Sequence, residues 1–220
     1  MGFLKQTTLV SLTTTLLLFP PHPTFAAVPD VAMIPQNPQM PTGCEIASLT
    51  MLLHWAGHPV SKTEVAGWVH REPAPYQRNG VWYGGDPHRG FIGSPDSPNG
   101  YGVFHEPIYQ VLQKKEPARA FDLTGNSFTS VLQSVDQGSP VITWVTIGLA
   151  EPRSSMTWRT GSGKTIDWKT PEHATVLTGY SATTVSVQDP LTGRLEHYPR
   201  SLFQKRWEQM GQQAVGLRQE

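Results

Sequence analysis

The chain has 220 residues, with 17 basic side chains against 17 acidic, 38% hydrophobic residues and a single cysteine. A neutral balance without a basic cluster argues against nucleic acid or an anionic membrane surface as the main partner. One cysteine permits no internal disulfide, so the fold must rest on packing, and the odd thiol calls for a chemical explanation.

In chain order, Lys5 precedes a mainly apolar stretch over residues 9–19, and Thr24-Phe25-Ala26 puts small residues where a signal peptidase reads. Pro20, Pro21 and Pro23 cut the apolar run short of the ~20 residues that span a bilayer. Residues 1–26 are therefore read as a cleavable secretory signal, and the protein as extracytoplasmic. Residues 27–220 are read as a single domain with no stable membrane insertion. Removing Lys5 leaves 17 − 1 = 16 basic residues against 17 acidic.

Residues 27–41 are rich in proline and should run extended. Thr42, followed three residues later by Glu45 and then by an apolar run, has the pattern of a capping box opening a helix over residues 44–55. Ser61 with Glu64 repeats that start signal for a second helix ending near Val69, with Val65, Trp68 and Val69 on its apolar face. Residues 73–102 combine prolines, glycines and aromatics without a period of 2 or 3.6, which predicts a long ordered loop, either a cleft wall or a packed surface loop. Helices are expected over residues 104–115 and 127–137, a short strand over 118–123, and a last helix over 201–210 that closes the chain. Residues 141–147, 173–180, 183–188 and 195–198 read as strands. Helices first and antiparallel strands later define an α+β chain.

The predicted helix start places Cys44 in the first turn, where backbone amides lack partners and the macrodipole favours a thiolate. The same amides could hold an oxyanion, and the Gln36 side chain upstream offers a second donor. Gly43 beside the cysteine should leave room for a substrate chain. A lone cysteine is often a small core hydrophobe, but Cys44 precedes the apolar run. Among the histidines, His54 and His58 are separated by a helix break at Gly57, so no metal site is expected from them, and nothing in the sequence calls for a cofactor. His70, His88 and His105 lie in or beside loops, and His197 falls on a late strand. His173 stands at the entrance of one strand and Asp189 at the end of the next, so a hairpin would bring them together with Asp189 orienting the imidazole. For both to share a face, the sum of opposed residue numbers must be even, which demands an odd-length turn or a β-bulge.

These residues resemble the papain-like C39 peptidases, and the stand-alone C39-like group more closely than the transporter-fused processors that cut after a double glycine in leader peptides. The resemblance runs from about Gln36 to Pro190. It is carried by Gln36 before Pro41-Thr42-Gly43-Cys44-Glu45, by Gly90-Phe91-Ile92-Gly93 with Gly100-Tyr101-Gly102-Val103, by Glu172-His173-Ala174 through Gly179-Tyr180, and by Asp189-Pro190. It implies a papain-like fold with an N-terminal nucleophile helix on a C-terminal antiparallel sheet, Cys44 as nucleophile, His173 as base, Asp189 as orienter and Gln36 in the oxyanion hole. The expected activity is cysteine peptidase action on a peptide or protein substrate. A cell-wall peptide amidase, an acyl transferase on the same triad, or a non-catalytic peptide-binding module are the alternatives.

Overall fold

A computed structural model describes residues 26–220 together with Gly2. The expected signal segment lies outside the described residues except for Gly2 and Ala26. In chain order the elements are β1 (Ala26–Ala27), α1 (Cys44–Trp55), α2 (Lys62–Trp68), β2 (Arg71–Glu72), β3 (Tyr76–Arg78), β4 (Val81–Tyr83), β5 (Phe91–Ile92), α3 (His105–Lys115), β6 (Ala120–Asp122), α4 (Phe128–Asp136) and β7 (Val141–Thr146). They continue with β8 (Arg153–Arg159), β9 (Thr165–Thr170), β10 (Glu172–Tyr180), β11 (Thr184–Asp189), β12 (Arg194–Pro199), α5 (Arg200–Gln209) and β13 (Ala214–Leu217). The α+β class holds.

The main sheet is antiparallel in the order β12-β11-β10-β7-β13-β6, with β1 pairing the far end of β10. Its central strands are apolar on both faces: every residue of β7 and β13 is buried, which requires cover on each side. α1 supplies part of that cover and is itself buried from Cys44 through Leu53. A helix apolar all round belongs in the interior, and α1 accordingly packs against β10, β7, α2 and α3. Its two central hydroxyls find partners, Thr50 donating within the helix to Ile46 O at 2.7 Å and Ser48 across to Ala174 O on β10 at 3.4 Å.

Three readings need correction. Residues 73–102 are not a structureless loop but contain β3, β4 and β5, and β3 and β4 belong to a four-stranded sheet in the order β3-β4-β8-β9. That sheet exists because β8 and β9 form a hairpin whose alternating Met156, Trp158, Ile166 and Trp168 build a second small core with Ile92, Tyr101 and Phe104. Nor does α5 end the fold, since the buried run Ala214–Leu217 inserts as β13 between β7 and β6. On α2 the Ser61–Glu64 capping box forms as expected, but Trp68, read as apolar-face, is 36% exposed and covered by the Lys115 ammonium 3.6 Å from its centroid.

The β10–β11 hairpin settles the register. Its turn is tight, with Ser181 N–H donating to Thr184 O, and beside it Tyr180 opposes Val185, an odd sum. Between Leu177 and Gly179 the register shifts, so that Leu177 opposes Val187 and Val176 opposes Gln188, even sums. This bulge is the corrective device the sequence required. It leaves His173 and Asp189 on one face, although His173 sits two residues beyond direct opposition and reaches Asp189 diagonally.

If α1 is the central buried helix, Leu52→Ala should destabilise the protein by about 2–5 kcal/mol, whereas Gln113→Ala on the exposed face of α3 should stay within about 0.5 kcal/mol, as read from urea unfolding.

Candidate active site

Three chain segments meet at the N-terminus of α1. The first carries Gln36, whose backbone N–H donates to Pro190 O at 2.8 Å and so ties this segment to the residue after Asp189. The Gln36 carbonyl accepts from Met40 N–H and from the Lys62 ammonium, and its side-chain Nε2 donates to Pro41 O at 2.8 Å. Its Oε1 is buried and without a partner. The amide is thus fixed with one N–H committed and a second left over.

The second segment starts α1, and here the capping box fails. The N-cap is Gly43, with no side-chain cap. The Thr42 hydroxyl is taken by carbonyls of the 94–97 segment, the shortest contact being 2.9 Å to Ser97 O. The Glu45 carboxylate turns inward, where Oε1 accepts from Val103 N–H at 2.7 Å and Oε2 from the Cys44 thiol at 3.3 Å. Tertiary partners have won over the local cap, and as a result no capping side chain occupies the first-turn amides. Gly43 also serves a different end from the one expected: a Cβ there would stand 2.7 Å from Met40 Cβ and 3.1 Å from Pro95 Cβ, so its smallness allows two chain segments to close on each other.

The third segment is β10 with its hairpin partner. His173 Nε2 lies 2.8 Å from Asp189 Oδ1, and both side chains are about 3% exposed. Asp189 Oδ1 also accepts from the amides of Leu191 and Thr192, so the carboxylate is fixed by its own turn. Burial opposes its charge, but the His173 contact and these amides outweigh it and hold Asp189 below the usual range. The residue after His173 touches the thiol directly: Ala174 N–H donates to Cys44 Sγ at 3.4 Å. The structure therefore brings Cys44, His173 and Asp189 to one buried locality, and Gln36 is stapled to the same turn.

The other histidines are occupied elsewhere. His58 pairs with Glu116, His88 with Glu106 and His105 with Asp122, His197 Nδ1 meets the Ser186 hydroxyl, and His54 meets Val60 O. His70 is largely exposed beside Glu72.

What the sequence did not reveal is the acid cluster around the thiol. Cys44 Sγ, one oxygen of Glu45 and one of Glu172 lie within 4.8 Å of one another, the one such group of three among the described residues that could share a cation. Burial pushes Glu45 up to about 7, and burial with the neighbouring Glu45 charge pushes Glu172 well up. For Cys44, burial and then the charges of Glu45 and Glu172 raise the thiol, against the lowering contact from Ala174 N–H. The expected low-pKa thiolate is thus corrected for this state: the helix terminus is outweighed by loss of solvent and two adjacent carboxyls. Glu45 had been absorbed into a capping pattern and Glu172 into the motif around His173. The available signal was that a Cys-Glu dipeptide and a Glu-His dipeptide both fall at element starts that must converge.

Against this geometry the comparisons are consistent. A buried thiol at a helix terminus thus lies near a histidine and an aspartate on neighbouring strands. The chain belongs to the Peptidase_C39 like family, whose profile matches residues 28–215. It is 36% identical over 178 residues to the uncharacterized protein YvpB of Bacillus subtilis, covering 81% of this chain and 70% of that protein. It also resembles a crystal structure of a candidate C39-like peptidase from Bacillus anthracis, with a TM-score of 0.79, 33% identity, and coverage of 90% of this chain and 98% of the other.

Removing the charge nearest the thiol should ease its ionisation. Glu45→Gln is expected to move the onset of Cys44 alkylation by iodoacetamide to lower pH than in the unmodified protein, followed by mass spectrometry across a pH series; an unchanged onset would mean that Glu45 does not restrain the thiol.

Proposed function

We propose that the protein is an exported cysteine peptidase that hydrolyses peptide bonds in a peptide or protein substrate. The observation that carries this reading is the buried His173–Asp189 pair beside a thiol held by the amide of Ala174. Asp189 takes the Nε2 proton of His173 as a hydrogen bond, which leaves Nδ1 as the nitrogen that accepts the Cys44 proton. The thiolate then attacks the substrate carbonyl, and its π electrons move onto oxygen. The Cys44 amide and the second N–H of Gln36 Nε2 are suited to hold that oxyanion, the former because no side chain caps the helix. The imidazolium gives its proton to the leaving amine as the C–N bond breaks, and a thioester remains. Water, deprotonated by His173, attacks the thioester and releases the acid and the thiol.

The Cys44 proton is directed at Glu45 in the resting state, so a first step is reorientation of the thiol toward His173. Export is supported by the leader-like composition of residues 1–26, and the near-neutral charge of the remainder fits a peptide better than a nucleic acid. No helix among the described residues is long and apolar enough to cross a membrane.

Incubation with a mixed peptide library and identification of new amino termini by mass spectrometry tests the reading. New termini should appear with the unmodified protein, and Cys44→Ala should lower their rate of formation by more than about 10³-fold. Library peptides left intact by a protein whose Cys44 is freely alkylated would contradict it, and acyl products joined to an added amine would point to acyl transfer instead.

A further inference from the structure

We propose that Glu45 and Glu172 form a subsite for a positively charged group of the substrate, an ammonium or guanidinium carried next to the bond that Cys44 attacks. The inference rests on the nucleophile reading above and adds to it the charge of what the nucleophile accepts.

A buried carboxyl, Glu45, and a half-buried one, Glu172, whose Oε1 is enclosed, lie a few ångströms apart, which is costly unless something positive or hydrogen-bonding answers them. Neither Glu45 nor Glu172 takes part in an ion pair among the described residues, although Glu72, Glu106, Glu116 and Glu151 all do. Glu45 is half answered, each oxygen having one donor. Glu172 is not: its Oε1 is buried with no partner among the described residues.

Glu172 also stands where a substrate could reach it. It lines two cavities, of about 250 Å³ and about 260 Å³, and Trp168 is common to both. Phe104 joins Trp168 in the first cavity, their rings parallel with centroids 5.7 Å apart, and Tyr101 joins it edge-on in the second, also at 5.7 Å. A carboxyl at the end of an aromatic slot is the environment a cation prefers over a neutral or anionic group. The cations already in the first cavity are committed elsewhere: Lys169 donates to Gln209 O, and His105 is held by Asp122 and Glu106. Gly102 lets the backbone close on the pair, because a Cβ there would come within 2.5 Å of Glu45 Oε1 and 3.0 Å of Glu172 Oε2.

The subsite can be read through Cys44 without knowing the substrate. In the presence of EDTA, the protein is treated with methanethiosulfonates that transfer a neutral methyl, a cationic aminoethyl or an anionic sulfonatoethyl group to a thiol. Each rate at Cys44, measured by intact mass, is divided by that reagent's rate with free N-acetylcysteine. The cationic reagent should exceed the neutral one by about tenfold or more, the scale of one charged hydrogen bond, and the anionic one should fall below it. Glu172→Gln should bring the cationic and neutral rates together, and Glu45→Gln should do the same if the first variant does not fold. Equal normalised rates in the unmodified protein, or a cation preference unchanged by both substitutions, would overturn the subsite while leaving a reactive nucleophile in place. A thiol closed to all three reagents would remove the nucleophile reading and the subsite with it.

Discussion

The contact on which the site depends is the 2.8 Å bond between His173 Nε2 and Asp189 Oδ1. It joins two strands, so it exists only if the register between them puts both side chains on one face. The tight turn after Tyr180 would by itself separate them, and the bulge between Leu177 and Gly179 restores the parity. A single extra residue in one strand thus decides whether an imidazole has an orienter. The Asp189-Pro190 turn then does double duty, fixing the carboxylate through the amides of Leu191 and Thr192 and fixing Gln36 through Pro190 O.

The second constraint is the burial of the thiol. A helix N-terminus favours a thiolate, and Ala174 N–H favours it further, yet burial and two neighbouring acids work in the opposite direction and dominate. Cys44 therefore rests as a thiol hydrogen-bonded to Glu45. Such a site needs an event that either neutralises the acids or turns the thiol away from them, and a cationic group entering beside Glu172 would supply the first.

Much of this was legible in the sequence because it is local or periodic. The cysteine helix, the Ser61–Glu64 box and the strands around His173 and Asp189 follow from spacing, and the parity argument required a bulge or an odd turn before either was seen. The β8–β9 hairpin was missed although Met156, Trp158, Ile166 and Trp168 alternate, because no motif drew attention to it. Strands β3 and β4 were not legible at all, since they have few residues and gain their pairing from that hairpin. Glu45 shows the limit most clearly: its position relative to Thr42 satisfies a local capping rule, and only the fold supplies the Val103 amide and the thiol that outcompete it.

The most direct test of the account is the protonation of the His173 ring, read by nitrogen-15 NMR of histidine-labelled protein near neutral pH. The account predicts that Nε2 carries the proton, bonded to Asp189, with Nδ1 bare and ready to accept from Cys44, and that Asp189→Ala abolishes this preference. A ring protonated at Nδ1 and bare at Nε2 in the unmodified protein would contradict it, because His173 would then have no lone pair to offer the thiol.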